Sequence, residues 1–165
     1  MNGKFHHLGQ GTTVPSFTLQ QSRFQRPVEE FMRYALSHNH IRSVILFGSV
    51  AKGTAQHYSD VDLIVVIDKL PEDWRQQDQL FSAIITKILM EDYVRIFPQV
   101  CSPAALLRAA RQGNPLLYGL LTGYQVLYDP DRFFSRVLQV LKKTVQRVNP
   151  IYIERNQQWV MTEVI

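Results

Sequence analysis

The sequence predicts an α/β (α+β) fold, a small mixed β-sheet flanked by helices, and three observations carry that expectation. Two short runs rich in branched residues, 43–47 (SVILF) and 61–67 (VDLIVVI), read as buried strands. Stretches with apolar residues at helical spacing alternate with strand-like runs along the chain. Proline beside a capping residue opens several of the helical stretches. At 165 residues the chain has the length of one domain with room for a terminal addition.

Residues 1–26 mix Gly, Thr, Gln and Ser with isolated aromatics and keep no period. They read as a loose arm or an irregular strand, for which a partner is one route to order. From Pro27 a helix is expected: proline at its first position, Glu29 and Glu30 in its first turn, and Val28, Phe31, Met32, Ala35 and Leu36 on one face to about His38. The run 43–47 closes at Gly48, and the run 61–67 follows a polar link. After Leu70-Pro71, residues Trp74, Phe81, Ile84, Ile85, Ile88 and Leu89 hold a helical spacing to about Glu91. A third strand is expected over 93–101, where Pro98 lacks an amide donor and argues for a sheet edge or a bulge. Ser102-Pro103 opens a helix over 104–111, and Asn114-Pro115 repeats the device for a short helix to Leu121. Residues 124–128 (YQVLY) make a further strand. Asp129-Pro130 caps a last helix whose Phe134, Val137, Leu138, Leu141, Val145 and Val148 share a face for core or homodimer packing, and Asn149-Pro150 stops it. The final residues, with Tyr152, Trp159 and Val160, are expected to pack on the core or on another subunit.

Composition narrows the function classes. With 45% hydrophobic and 19% charged residues, wholesale disorder and a collagen-like chain are excluded. No apolar run approaches the ~18 residues of a membrane span, and residues 1–26 hold no apolar block suited to a signal peptide, so a cytoplasmic location without membrane attachment is expected. Cys101 is the only cysteine, which rules out an intrachain disulfide and a cysteine zinc cluster. Eighteen Lys and Arg against 14 Asp and Glu give a net charge of +4, suited to an anionic ligand. The charges are scattered, with Lys142-Lys143 the one adjacent basic pair, so a nucleic-acid partner is not expected.

The informative stretch is 46–54 (LFGSVAKGT), followed by 59–66 (SDVDLIVV). A buried strand ending in Gly48-Ser49 lets backbone approach a ligand, and the serine is placed to cap the next helix, whose free amides would face an anion. Ten residues after Ser49 the chain enters a second strand with Asp60 and Asp62 at i and i+2, on one face. Two adjacent carboxylates need a cation, and oxygen ligands select a hard ion, so Mg2+ bridging to a phosphate is the natural occupant.

This pattern resembles the signature of the DNA polymerase β-like nucleotidyltransferases, specifically the minimal nucleotidyltransferase group, and the likeness runs from about Ile41 to Tyr128. The resemblance divides the chain into an N-terminal arm (1–26), a nucleotidyltransferase-like domain (27–128) and a C-terminal helix and tail (129–165). It implies that Gly48 and Ser49 contact the β- and γ-phosphates of a nucleoside triphosphate, ATP being the expected one. It further implies that Asp60 and Asp62 are catalytic ligands of Mg2+, in a one- or two-ion site, and that Lys52 lies near the triphosphate. The implied reaction is nucleotidyl transfer with release of pyrophosphate. The acceptor it allows is a small molecule or a protein hydroxyl, as where a minimal nucleotidyltransferase antitoxin modifies its HEPN-domain toxin. The alternative it leaves is a catalytically impaired nucleotide-binding or antitoxin-like module. The family pattern also calls for a third carboxylate on the next strand, and residues 93–100 contain none. Glu91 or Asp92 would reach in if that strand starts early, whereas Asp68 lies six residues beyond Asp62, roughly 20 Å along an extended strand.

Each of these residues also has a plainer reading. Gly48-Ser49 alone is an ordinary strand-to-helix turn, and its coupling to two aspartates is what favours a site. Lys52 reads as a solvated helix lysine or a phosphate contact. His57 reads as an exposed loop histidine or a ligand contact, while His6, His7, His38 and His40 lack the further ligands of a metal site. Cys101 reads as a packed or near-surface thiol without an activating partner. Arg95 reads as a salt bridge to the acids or as a phosphate contact.

Overall fold

The computed structural model describes residues 13–148, Pro150 and the backbone of Ile151–Ile153 and Gln158–Val160. Residues 1–12, with His6 and His7, lie outside the described residues, as do Asn149 and the side chains of Tyr152, Trp159 and Val160. The elements are α1 (Gln25–His38), β1 (Ile41–Phe47), α2 (Gly48–Lys52), β2 (Val61–Ile67), α3 (Trp74–Gln79), α4 (Ser82–Asp92) and β3 (Ile96–Cys101). They continue as α5 (Pro103–Gln112), α6 (Pro115–Tyr118), β4 (Tyr124–Tyr128), α7 (Phe133–Val148), and a ribbon of β5 (Ile151–Ile153) with β6 (Gln158–Val160).

Four strands form one mixed sheet in the order β3-β2-β1-β4. β1 runs antiparallel to both β2 and β4, and β2 runs parallel to β3. The expected mixed sheet is therefore present, and Pro98 sits on its edge strand, where a missing amide donor costs nothing in the ladder. Alternation along the strands sends Val44, Leu46, Leu63 and Val65 to one face, under α1 and α4. Ile45, Phe47, Ile64 and Val66 go to the other, under α5 and α7.

The structure departs from the sequence expectations at several joints. Residues 13–24 are no free arm: Leu19 and Phe24 are buried, Val14 and Phe17 pack beside them, and Gln21 donates to the Ala55 carbonyl. The helix expected from Trp74 to Glu91 breaks into α3 and α4 at Leu80–Phe81, leaving Trp74 and Leu89 exposed. β3 begins at Ile96 because α4 ends in Tyr93 with a left-handed φ of 56°, which turns the chain before the strand starts. α7 starts at Phe133, not at Pro130, because residues 129–132 form a turn; Asp129 still caps it across that turn, both carboxylate oxygens accepting from the Phe134 amide, and also accepts from the buried Ser43 hydroxyl at 2.6 Å. That one carboxylate ties β1 to α7, and Phe133, Phe134, Val137, Leu138 and Leu141 are buried with the sheet.

Candidate active site

β1 ends at Phe47, which pairs with Asp62 across the ladder. The chain then turns through Gly48, whose φ of +73° lies in the left-handed region open to glycine. A Cβ on residue 48 would stand 2.5 Å from Asp62 Oδ2 and 3.4 Å from its carboxyl carbon. Glycine is thus required twice, by the turn and by the carboxylate pressed against it. Ser49 does not cap α2, as the sequence suggested: Phe47 holds the cap position without a side-chain bond, and Ser49 is the second residue of the helix. Its hydroxyl makes no hydrogen bond among the described residues.

Asp60 and Asp62 are brought together beside this turn. Burial, and then the charge of Asp60, raise the Asp62 carboxyl above its ordinary value of 3.8. Arg95 Nε lies 2.6 Å from Asp60 Oδ1, yet its N–H is not aligned on that oxygen, which is shielded from solvent and lacks a hydrogen-bond partner. The contact is an ion pair, and the Arg95 Nη2 also donates to the Tyr58 carbonyl at 3.3 Å. Of the two readings of Arg95, the structure takes the salt bridge to the acids.

The register explains why no third carboxylate joins them. Val61 faces Ile96 and Asp62 faces Phe97, so the residues on the side of the acid pair are Arg95, just before β3, and Phe97 within it. Glu91 and Asp92 do not reach in. They stay in the last turn of α4, where Arg26 holds Asp92 at 2.7 Å and approaches Glu91 at 3.9 Å. Asp68 pairs with Arg42 at the far end of β2. Among the described residues, no group of three or more His, Cys, Asp or Glu is placed to hold a metal. The two aspartates still suit one hard dication: they stand side by side on one face at the start of β2, and the fold disfavours the charge of Asp62.

Lys52 closes α2, exposed, its stem lying so close to Gly123 that a Cβ there would meet Lys52 Cγ at 2.7 Å. Its ammonium makes no ion pair among the described residues, and its stem runs beside Gly123 at the entry to β4. His57 is held by Arg23, which bonds its ring and donates to its carbonyl. Cys101 is half-buried, and burial pushes its thiol up to about 12, which removes it as a nucleophile at neutral pH. Sequence reasoning missed a cavity lined by His57, Tyr58, Leu89, Tyr93 and Arg95, next to the acids, because it joins segments far apart in the chain.

A mixed sheet carrying a glycine–serine turn at the end of β1, against two aspartates at the start of β2, defines an α/β domain with one candidate site at that turn. A model of the family "Polymerase beta, Nucleotidyltransferase" matches residues 29–119. A Methanocaldococcus jannaschii chain, MJ1305, provisionally named a protein adenylyltransferase, is 36% identical over 123 residues, covering 74% of this chain and 82% of that one. A toxin–antitoxin crystal structure with AMP-PNP aligns over 76% of this chain and 86% of its own, at 13% identity and a TM-score of 0.43. A mutant toxin–antitoxin MntA–HpeT structure aligns over 76% and 91%, at 11% identity and a TM-score of 0.45. The chain belongs to the polymerase β-type nucleotidyltransferase family.

Proposed function

We propose that this nucleotidyltransferase moves a nucleoside monophosphate, AMP from ATP, onto a hydroxyl of a partner protein with the help of Mg2+. The observation that carries the reading is the fit of Gly48 against Asp62, which sets a ligand-accessible backbone turn, a free serine hydroxyl and two carboxylates side by side. The Gly48 backbone and Ser49 hydroxyl would hold the β- and γ-phosphates, with Lys52 as their counter-charge. Asp60 and Asp62 would hold Mg2+, which when bound neutralises phosphate charge and polarises the α-phosphorus. The acceptor oxygen bonds to the α-phosphorus as the α–β bridging P–O bond breaks, pyrophosphate departs, and the hydroxyl proton passes to solvent. Positioning supplies much of the effect, since the turn and the acids fix donor and leaving group on one rigid sheet.

Two points support a protein acceptor and adenylyl as the group. The relative from M. jannaschii carries the name of a protein adenylyltransferase at 36% identity. Tyr58, Tyr93, Leu89 and Met90 are exposed apolar side chains at the β3 end of the site, a surface suited to a protein partner such as a HEPN-type toxin. A second reading, a nucleotide-binding antitoxin-like module with impaired transfer, is favoured by one observation: Arg95 pairs with Asp60 at the entry to β3, a strand that offers no third acid. Incubating the chain and a HEPN-type protein from the same organism with ATP labelled in the α- or the γ-phosphate separates the two. Label carried over from the α-phosphate only, and lost in Asp62→Asn, supports transfer. Mg2+-dependent ATP binding with no label on the partner supports the module.

A further inference from the structure

We propose that the cavity between β3, α5 and α6 receives the base of the nucleotide. This rests on the triphosphate reading above. The cavity measures about 220 Å3 and is walled by Ile64, Leu106, Ala109 and Leu117, with Gln99 and Asn114 as its polar groups. A single water needs about 10–15 Å3 on that measure, so the hollow has room for a flat heteroaromatic ring.

Strand geometry places it beside the acids. Asp62 and Ile64 share one face of β2, Phe97 and Gln99 share the same face of β3, and the ladder sets Asp62 opposite Phe97 and Ile64 opposite Gln99. The cavity floor therefore begins one side-chain repeat from Asp62, about 7 Å along the strand. In-line displacement fixes which part of the nucleotide goes there. The leaving pyrophosphate lies toward Gly48 and Ser49 at the end of β1, so the acceptor comes from the opposite side, across β3. The nucleoside is left with the third direction, along the strands over the sheet face, which leads to this cavity.

The lining chemistry agrees. No charged residue lines the cavity, so it suits a neutral group rather than a phosphate. The Gln99 amide makes no hydrogen bond among the described residues and offers both a donor and an acceptor. Asn114 uses its side-chain oxygen on the Leu116 amide, which leaves its NH2 free to donate. Aliphatic walls for the ring faces and an amide for the ring edge are what a nucleobase requires. The groove between α1 and α4 lies on the other face of the sheet and is edged by the Glu30–Lys87 ion pair.

The test compares Mg2+–ATP with Mg2+–tripolyphosphate, which keeps the phosphates and lacks the base, in calorimetric titrations of the full chain. Ala109→Leu fills the cavity, and Ala105→Trp narrows its mouth from an exposed position that leaves the fold alone. The expected result is that either variant weakens ATP by about tenfold while tripolyphosphate affinity stays as in the parent chain. Gln99→Leu is expected to alter the ratio of ATP to GTP affinity and to leave tripolyphosphate unchanged. Undiminished ATP affinity in a folded variant, or equal loss of both ligands, overturns the inference while the triphosphate site stands. Failure of the parent chain to bind either ligand overturns the site and the inference together.

Discussion

Asp62 Oδ2 fills the space that a Cβ on Gly48 would take, with 2.5 Å between them. The end of β1 and the start of β2 are thus shaped to one another at the candidate site. Gly48→Ala adds a left-handed strain of about 1–2 kcal/mol and drives the carboxylate away. Denaturant melts are expected to show that loss, with ATP affinity falling further than stability does. Gly119→Ala is the control: nothing lies within 4 Å of its would-be Cβ, and its stability is expected to change by no more than about 0.5 kcal/mol.

Arg95, just before the acid-free strand β3, supplies a positive charge to Asp60. Both side chains are well exposed, so the pair is worth at most about 1 kcal/mol. Arg95→Ala is expected to tighten binding of Mn2+ alone by up to about fivefold, read by electron paramagnetic resonance of the free ion. Unchanged Mn2+ affinity would mean that the guanidinium does not compete for Asp60.

The raised Asp62 carboxyl makes a stability prediction whose sign follows from linkage. Its ionised form is disfavoured in the fold by burial first and by Asp60 second. The native state therefore holds the proton more tightly than the unfolded chain, and stability falls as pH rises from below 3.8 through the raised folded value. Asp62→Asn is expected to melt higher than the parent near neutral pH, and the gap is expected to close toward the acid end of that window. The same variant is expected to lose Mg2+-dependent ATP binding, so stability and function move in opposite directions.

Asp129 serves two donors at once, the buried Ser43 hydroxyl on β1 and the Phe134 amide at the start of α7. Asp129→Ala strands both, and a loss of about 1–3 kcal/mol is expected in urea melts. Ser43→Ala removes the donor instead of the acceptor and is expected to cost less.

Much of this was legible because it is local. β2 and β4 fall where their branched and aromatic runs predict, and the Gly48-Ser49 turn and the Asp60, Asp62 spacing are written in neighbouring residues. What escaped the sequence depends on contacts across it. Arg26 reaches Asp92 over 66 positions and keeps it from the site, while the left-handed Tyr93 delays β3 and hands the place beside Asp60 to Arg95. Periodicity carried a helix through Leu80–Phe81, where the chain bends so that Phe81 packs on Phe31. The cavity walled by Ile64, Gln99 and Leu117 draws on three elements and has no signature in any one of them.

The central claim, that the glycine–serine turn and the two aspartates form one metal-dependent triphosphate site, is tested most directly by the melting temperature of the chain with ATP. The measurement is made with Mg2+ and with EDTA, beside Asp60→Asn/Asp62→Asn. A ligand held only by the folded state stabilises it by mass action, so a rise that needs both Mg2+ and the aspartates is the predicted result. No rise up to millimolar ATP, or an equal rise in EDTA or in the doubly substituted chain, would contradict it.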